Sequence, residues 1–252
     1  MKLRSLAAAL LVFCFASAAS AKSIFPTCSK MGSAYGPNAL ECTLYFNGEI
    51  EAGDSSRIGE AIRDSPGLVT RLLINSPGGD PFEALRIADV VNSVFVEVGT
   101  GNCEASGRCF EDRRGKVCAS ACAILFVAAN SRSGTEVFLH RPAFPAAMFA
   151  ALPAEDARRA YESASDLLLE KMRARRVPNS ILELMMKIPS DRVEKLPDNY
   201  PAQSVWLSEW LSAKCGTQES WRKTDDFLNA SITGVMCTVE SEMSEQRRTQ
   251  KK

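Results

Sequence analysis

Three large aliphatic residues stand side by side in "LVTRLLINS": Leu72, Leu73 and Ile74. An unbroken apolar run of this length suits a strand covered on both faces, and such strands belong to parallel sheets. The chain then passes through Gly78 and Gly79 and enters "PFEALRIADVVNSV", a helix that Asp80 and Pro81 would open. "VFVEVG" returns as the next strand. The same alternation extends in both directions. "ALECTLYFNGEI" reads as a strand running into a turn, and "SSRIGEAIRDSP" predicts a short helix with a serine start, closed by Pro66-Gly67. Further on, "KVCASACAILFVAAN" predicts a strand leading into a buried helix, and "EVFLHRP" one more strand. Strand and helix in this order predict an α/β fold with right-handed crossovers and a mostly parallel sheet.

The C-terminal third is helical in pattern. Roughly 154–176 forms one long amphipathic helix, with Leu167, Leu168, Leu169 and Met172 on its apolar side. A second helix near 178–187 carries Ile181, Leu182, Leu184 and Met185. "YPAQSVWLSEWLS" reads as a late helix packed on the core, and 239–252 as a polar, frayed tail. There is no internal repeat and no coiled-coil heptad.

Residues 1–21 have the marks of a signal peptide. Lys2 and Arg4 precede the apolar "LAAALLVFCF", and "ASAASA" ends in small residues suited to cleavage after Ala21. Cys14 suggests lipoprotein processing, but the bulky residues before it argue against a lipobox. No later stretch is long and apolar enough to span a bilayer. The expectation is an exported protein, periplasmic or secreted, with a single domain over 22–238. The 252 residues less the 21 of the leader leave 231, enough for one sizeable α/β core. The whole chain has 30 basic and 30 acidic residues, and the leader holds two of the basic ones. This near-neutral balance gives no electrostatic case for nucleic acid or an anionic membrane.

After the leader the cysteines are Cys28, Cys42, Cys103, Cys109, Cys118, Cys122, Cys215 and Cys237. An even number in an exported chain favours disulfides. Proximity predicts Cys28–Cys42 and Cys215–Cys237, with the middle four paired among themselves. Zinc is the weaker reading: the middle cysteines are irregularly spaced, and the chain has one histidine to offer. No cofactor is called for.

That histidine, His140, ends a strand twenty residues after Ser120. Any imidazole chemistry must run through it. Ser120 sits among small residues at the expected start of a helix, where unpaired N–H groups and the positive end of the dipole favour a developing oxyanion. Gly79 and Ala121 would supply the two backbone donors. Each residue also has a plainer use. A serine there commonly caps the helix, a glycine pair commonly makes a tight turn, and a lone histidine at a strand end is usually structural. Their combination raises the catalytic reading. Cys118 and Cys122 could brace the serine turn, or could each bond elsewhere.

"LLINSPGGD", "CASACAILFVAA" and "VFLHRP" together resemble the three core blocks of the Clp protease proteolytic subunit, within the Clp protease/crotonase superfamily. The likeness covers roughly residues 40–210 and is closest to an exported bacterial branch. It implies a spiral of ββα units with C-terminal helices. It also implies a serine peptidase or related acyl hydrolase acting on a peptide or protein substrate laid along a strand edge. By position, Ser120 would be the nucleophile, His140 the general base, and Gly79 and Ala121 the oxyanion donors. The expectation is a Ser120 hydroxyl within hydrogen-bond reach of a His140 ring nitrogen.

The family's third member is an aspartate about fifty residues after the histidine. Alignment of "SILELMMKIPSDRVEKL" puts Lys187 near that place, with Asp191 one turn on as the candidate and Asp198 a weaker one. A serine–lysine dyad through Lys171 or Lys187 is an alternative, and would need that lysine buried. The family's members stack into rings, so a homo-oligomer is expected, although the altered N-terminus and the cysteine loop at 101–116 argue against the ring itself. From a different class comes a catalytically inactive binding or assembly module that keeps the fold. Acyl-CoA chemistry fits poorly with export.

Overall fold

The computed structural model describes residues 22–31, 39–103, 109–110, 117–134, 136–144 and 148–197. The elements are β1 (Ser23–Lys30), β2 (Leu40–Asn47), α1 (Asp54–Arg63), β3 (Leu68–Asn75), α2 (Pro81–Ser93), β4 (Glu97–Thr100) and the pair β5 (Asn102–Cys103) and β6 (Cys109–Phe110). They continue with β7 (Cys118–Ala119), α3 (Ala121–Ala128), β8 (Arg132–Ser133), β9 (Val137–Leu139), α4 (Ala154–Ala174), α5 (Asn179–Lys187) and β10 (Glu194–Lys195). The chain is mixed α/β, and the larger sheet is mostly parallel.

That sheet has the order β1-β2-β3-β4-β8, with only the β1–β2 pair antiparallel. Leu44, Phe46, Leu72 and Ile74 project into the main core beside the helices, while Tyr45 and Leu73 pack with Phe25 in a second, smaller cluster. Alternate residues of a strand face opposite sides. The apolar run at 72–74 is therefore unbroken because both sides of β3 are covered. Each fully buried aliphatic side chain here contributes about 1.5–3 kcal/mol.

A smaller sheet, ordered β10-β9-β7, carries the serine and histidine segments. Ser76, just past β3, forms a parallel bridge to Cys118 of β7, and Gly79 forms one to Ile50. The chain after β3 thus leaves the large sheet and joins the edge of the small one, which delivers the glycine turn beside β7. Helix α3 is buried over all eight residues and fills the space between the layers.

Strand β1 is not predicted, because Pro26 interrupts its pattern. It is an edge strand, where a missing N–H is tolerated. Cys28 and Cys42 lie directly opposite each other in the β1–β2 register and are joined by a disulfide. "VFVEVG" becomes a strand only at Glu97, because Val94 caps α2 and Phe95 has φ 54°. The segment 101–116 is not wholly loop, since β5 and β6 pair within it with Cys103 opposite Cys109. Leu167 is 45% exposed, so the apolar face of α4 is Leu168, Leu169 and Met172. The expected leader, the late helix, the tail, Asp198 and the Cys215–Cys237 pair lie outside the described residues. Among the described residues no helix is long and apolar enough to cross a membrane.

Helix α1 starts at Gly53 with no side-chain cap; Ser55 does not cap it as expected. Glu83, in the first turn of α2, supplies the missing acceptor. Its Oε1 takes the Ser55 N–H at 2.6 Å and its Oε2 takes Arg86 Nε at 2.6 Å. The residue is 1% exposed. Burial pushes this carboxyl up, but the Ser55 donor and the Arg86 guanidinium outweigh it and hold the group below the usual glutamate range. A carboxylate held low in the folded state stabilises the fold above its unfolded-state titration, and that stability is lost as pH falls through the lower, folded value. Glu83→Ala is expected to destabilise the protein by about 1–3 kcal/mol at neutral pH. It should also flatten the loss of stability below about pH 5, read by urea titrations at several pH values.

Candidate active site

Two glycines and a serine form one corner. Gly78 (φ 118°) and Gly79 (φ 133°) both occupy the left-handed half of backbone space, which suits glycine alone. A Cβ on Gly78 would lie 2.5 Å from Ser120 Cβ and 3.0 Å from Ser120 Oγ. A Cβ on Gly79 would run into the Ile50 carbonyl. The pair is therefore present for close approach on both sides: Gly78 to the serine, Gly79 to the chain at Ile50. Ser76 Oγ shapes the turn by accepting the Gly78 N–H at 3.1 Å. Sequence reasoning missed this residue, although a serine two positions before a glycine turn is a recognisable local signature.

Ser120 joins β7 to α3 with φ 57° and ψ −122°. For a non-glycine residue this conformation costs about 1–3 kcal/mol and persists only where the surroundings impose it. The Ser120 N–H donates to the Phe138 carbonyl at 3.1 Å, and the Ser120 carbonyl accepts the Ile124 N–H at 3.2 Å. The serine side chain does not cap the helix. Its hydroxyl is therefore not used for the commonest task of a serine at this place. Cys118 and Cys122, on either side, are joined by a disulfide. That bond, like Cys28–Cys42, fits an oxidising compartment.

Backbone donors accompany the serine. In the Ile50–Gly79 bridge it is Ile50 that donates to Gly78 and Asp80 that donates to Ile50, which leaves the Gly79 N–H out of the ladder. Ala121 is the first residue of α3, whose opening N–H groups have no intrahelical partner. Among the described residues neither the Gly79 nor the Ala121 N–H has an acceptor.

His140 follows β9, the strand that pairs in parallel with β7 (Cys118 with Val137, Ala119 with Phe138). Ser120 and His140 thus leave the same end of neighbouring strands. His140 is 8% exposed. Its Nδ1 lies 2.7 Å from the Arg141 carbonyl oxygen. A carbonyl can only accept, so Nδ1 carries the hydrogen and Nε2 is left with its lone pair. Two further contacts hold that carbonyl in place: the Arg141 N–H donates to Ile188 at 2.8 Å, and the Tyr161 hydroxyl donates to the Pro142 carbonyl at 2.7 Å. Aromatic contacts tie the same stretch down, with Phe144 stacked on Phe82 at 6.0 Å and edge-on to Tyr161 at 5.5 Å.

Ser120, His140, Gly79 and Ala121 are therefore brought to one end of the small sheet. Asp191 is exposed, and no described hydrogen bond or ion pair joins it to His140. The position expected for a carboxylate, at Nδ1, is taken by the Arg141 carbonyl. No sequence signal could reveal this, because every residue has a carbonyl. Among the described residues no hydrogen bond yet joins Ser120 Oγ to the ring. Lys171 and Lys187 are both exposed, so neither meets the burial that a serine–lysine dyad requires. No family model and no curated protein matches the chain.

Proposed function

We propose that this protein is an exported serine hydrolase, a peptidase or related acyl hydrolase on a Clp protease/crotonase-like spiral. The observation that carries the reading is the backbone at Ser120, a non-glycine residue bent to positive φ between a strand end and an uncapped buried helix. Such a turn presents a hydroxyl at the top of a sheet beside free N–H groups. The repeated strand–helix units, and the step of the chain from the large sheet to the small one at Ser76, support the spiral.

In this reading Ser120 Oγ attacks the acyl carbon of the substrate, and His140 Nε2 takes the hydroxyl proton. The Gly79 and Ala121 N–H groups hold the oxyanion. The imidazolium returns its proton to the leaving group, and water then releases the acyl-enzyme by the same steps in reverse roles. The Arg141 carbonyl keeps Nδ1 protonated and the ring oriented, a task otherwise given to an aspartate. A peptide or protein substrate, a periplasmic or secreted setting and a homo-oligomer belong to the same reading.

A second reading, an inactive binding or assembly module, is favoured because, among the described residues, no hydrogen bond joins Ser120 to His140 and a main-chain carbonyl, not a carboxylate, meets Nδ1. A fluorophosphonate probe separates the two. The hydrolase reading expects labelling of oxidised, leader-free protein and none of Ser120→Ala. Unlabelled wild type would leave only the binding module.

A further inference from the structure

We propose that the Cys118–Cys122 disulfide is a positioning element for the Ser120 nucleophile, so that hydrolysis depends on this pair being oxidised. The inference rests on the reading of Ser120 as nucleophile. Cys118 opens the two-residue strand β7, Cys122 lies in the first turn of α3, and Ser120 is the middle of the three residues between them. Both cysteines are fully buried, with their Cα atoms 5.0 Å apart.

The bend at Ser120 needs several restraints at once. Gly78 lies against the serine on one side, too close to admit a Cβ of its own, and the Phe138 carbonyl holds the N–H on another. Neither links the strand end to the helix start. The disulfide does, and no side-chain cap shares the task. Without it, β7 and α3 are joined across the bend only by the strained backbone itself, which can relax toward ordinary φ and carry the hydroxyl away from the Gly79 and Ala121 donors.

General stabilisation is the weaker account of the bond. A disulfide acts on the unfolded chain through the loop it closes, and this one spans a sequence separation of 4, against 14 for Cys28–Cys42. The smaller ring removes less freedom from the unfolded chain. Its placement around one strained serine is what distinguishes it.

Opening the bond is a balanced exchange with a dithiol. One thiolate attacks a cystine sulfur, and the second thiol resolves the mixed disulfide. Cys118 and Cys122 then gain two electrons and two protons as the dithiol becomes a disulfide.

The test compares fluorophosphonate labelling of oxidised wild type, Cys118→Ala/Cys122→Ala and, as a control, Cys28→Ala/Cys42→Ala. The expected result is a maximal labelling rate at least about 30-fold lower in the first variant, with probe affinity within about threefold of wild type and circular dichroism unchanged. The control should label like wild type. Equal maximal rates in folded Cys118→Ala/Cys122→Ala would overturn the inference while leaving Ser120 as nucleophile. Unlabelled wild type would remove both. Should that variant fail to fold, dithiothreitol treatment of the folded protein, with alkylation mapped by mass spectrometry, decides. Labelling must fall in step with alkylation of Cys118 and Cys122, and be restored by reoxidation in an unalkylated sample. Labelling retained in molecules alkylated at both positions sinks the proposal.

Discussion

Gly79→Ala is expected to cost about 3–5 kcal/mol of folding stability and to lower the thermal midpoint by roughly 10 °C. Two effects add. The residue sits at φ 133°, where any side chain is strained, and its new Cβ would run into the Ile50 carbonyl. That carbonyl is backbone held in a parallel bridge, with Ile50 and Asp80 donating across it, so it cannot step aside as the end of a flexible side chain would. The whole glycine turn must shift, and the Gly79 N–H moves with it. Folded molecules of this variant should therefore also lose most fluorophosphonate labelling. Gly78→Ala is the companion variant, because its Cβ would meet Ser120 first and the Ala119 carbonyl next, and not Ile50. Differential scanning calorimetry and labelling on the same samples test both variants. A Gly79→Ala midpoint within 2–3 °C of wild type, on the order of 1 kcal/mol, would contradict the packing described at Ile50.

His140→Ala should reduce the rate of acyl transfer by about 10⁴-fold or more, measured with an activated ester or by labelling kinetics. The size follows from the sequence: with one histidine in the chain, no second imidazole can substitute. The fold should survive, since the ring makes one described hydrogen bond, to its own neighbour's carbonyl. Nitrogen NMR of the wild-type ring offers a check that does not depend on activity. The Nδ1-protonated tautomer is expected, because the Arg141 oxygen can accept and cannot donate. An Nε2-protonated ring would place the lone pair on the wrong side and remove the general base from the proposed mechanism.

Much of the architecture is readable from residue patterns. The run Leu72–Ile74, the glycine turn and the helix behind Asp80 and Pro81 announce a buried parallel strand and its crossover, because burial on both faces erases alternation. Asp80 Oδ1 accepts from the Phe82 and Glu83 N–H groups as such a start requires. What pattern does not carry is pairing at edges. β1 is interrupted by a proline and β10 has two exposed residues, so neither shows a clean strand pattern, and both pair because a neighbouring strand offers unpaired groups. The same holds at the site. As members of the proposed site, Ser120, His140 and Gly79 stand out in the sequence because their side chains, or the lack of one, are distinctive. The partner of Nδ1 is a main-chain atom placed by the folded chain, and the cap of α1 comes from a glutamate 28 positions away. Looking for a carboxylate at the right distance along the chain leads to Asp191, which is exposed.

A hydrogen-bond acceptor borrowed from the peptide bond after His140 has no side chain to mutate and no proton to gain in acid. Amino acid changes at position 141 leave it present, so on the proposed mechanism substitution scans over the described residues would register two indispensable side chains where a triad would register three. Its vulnerability lies instead in the struts behind it, Tyr161 and the chain at Ile188, through which distant helices could loosen the imidazole's aim without touching Ser120.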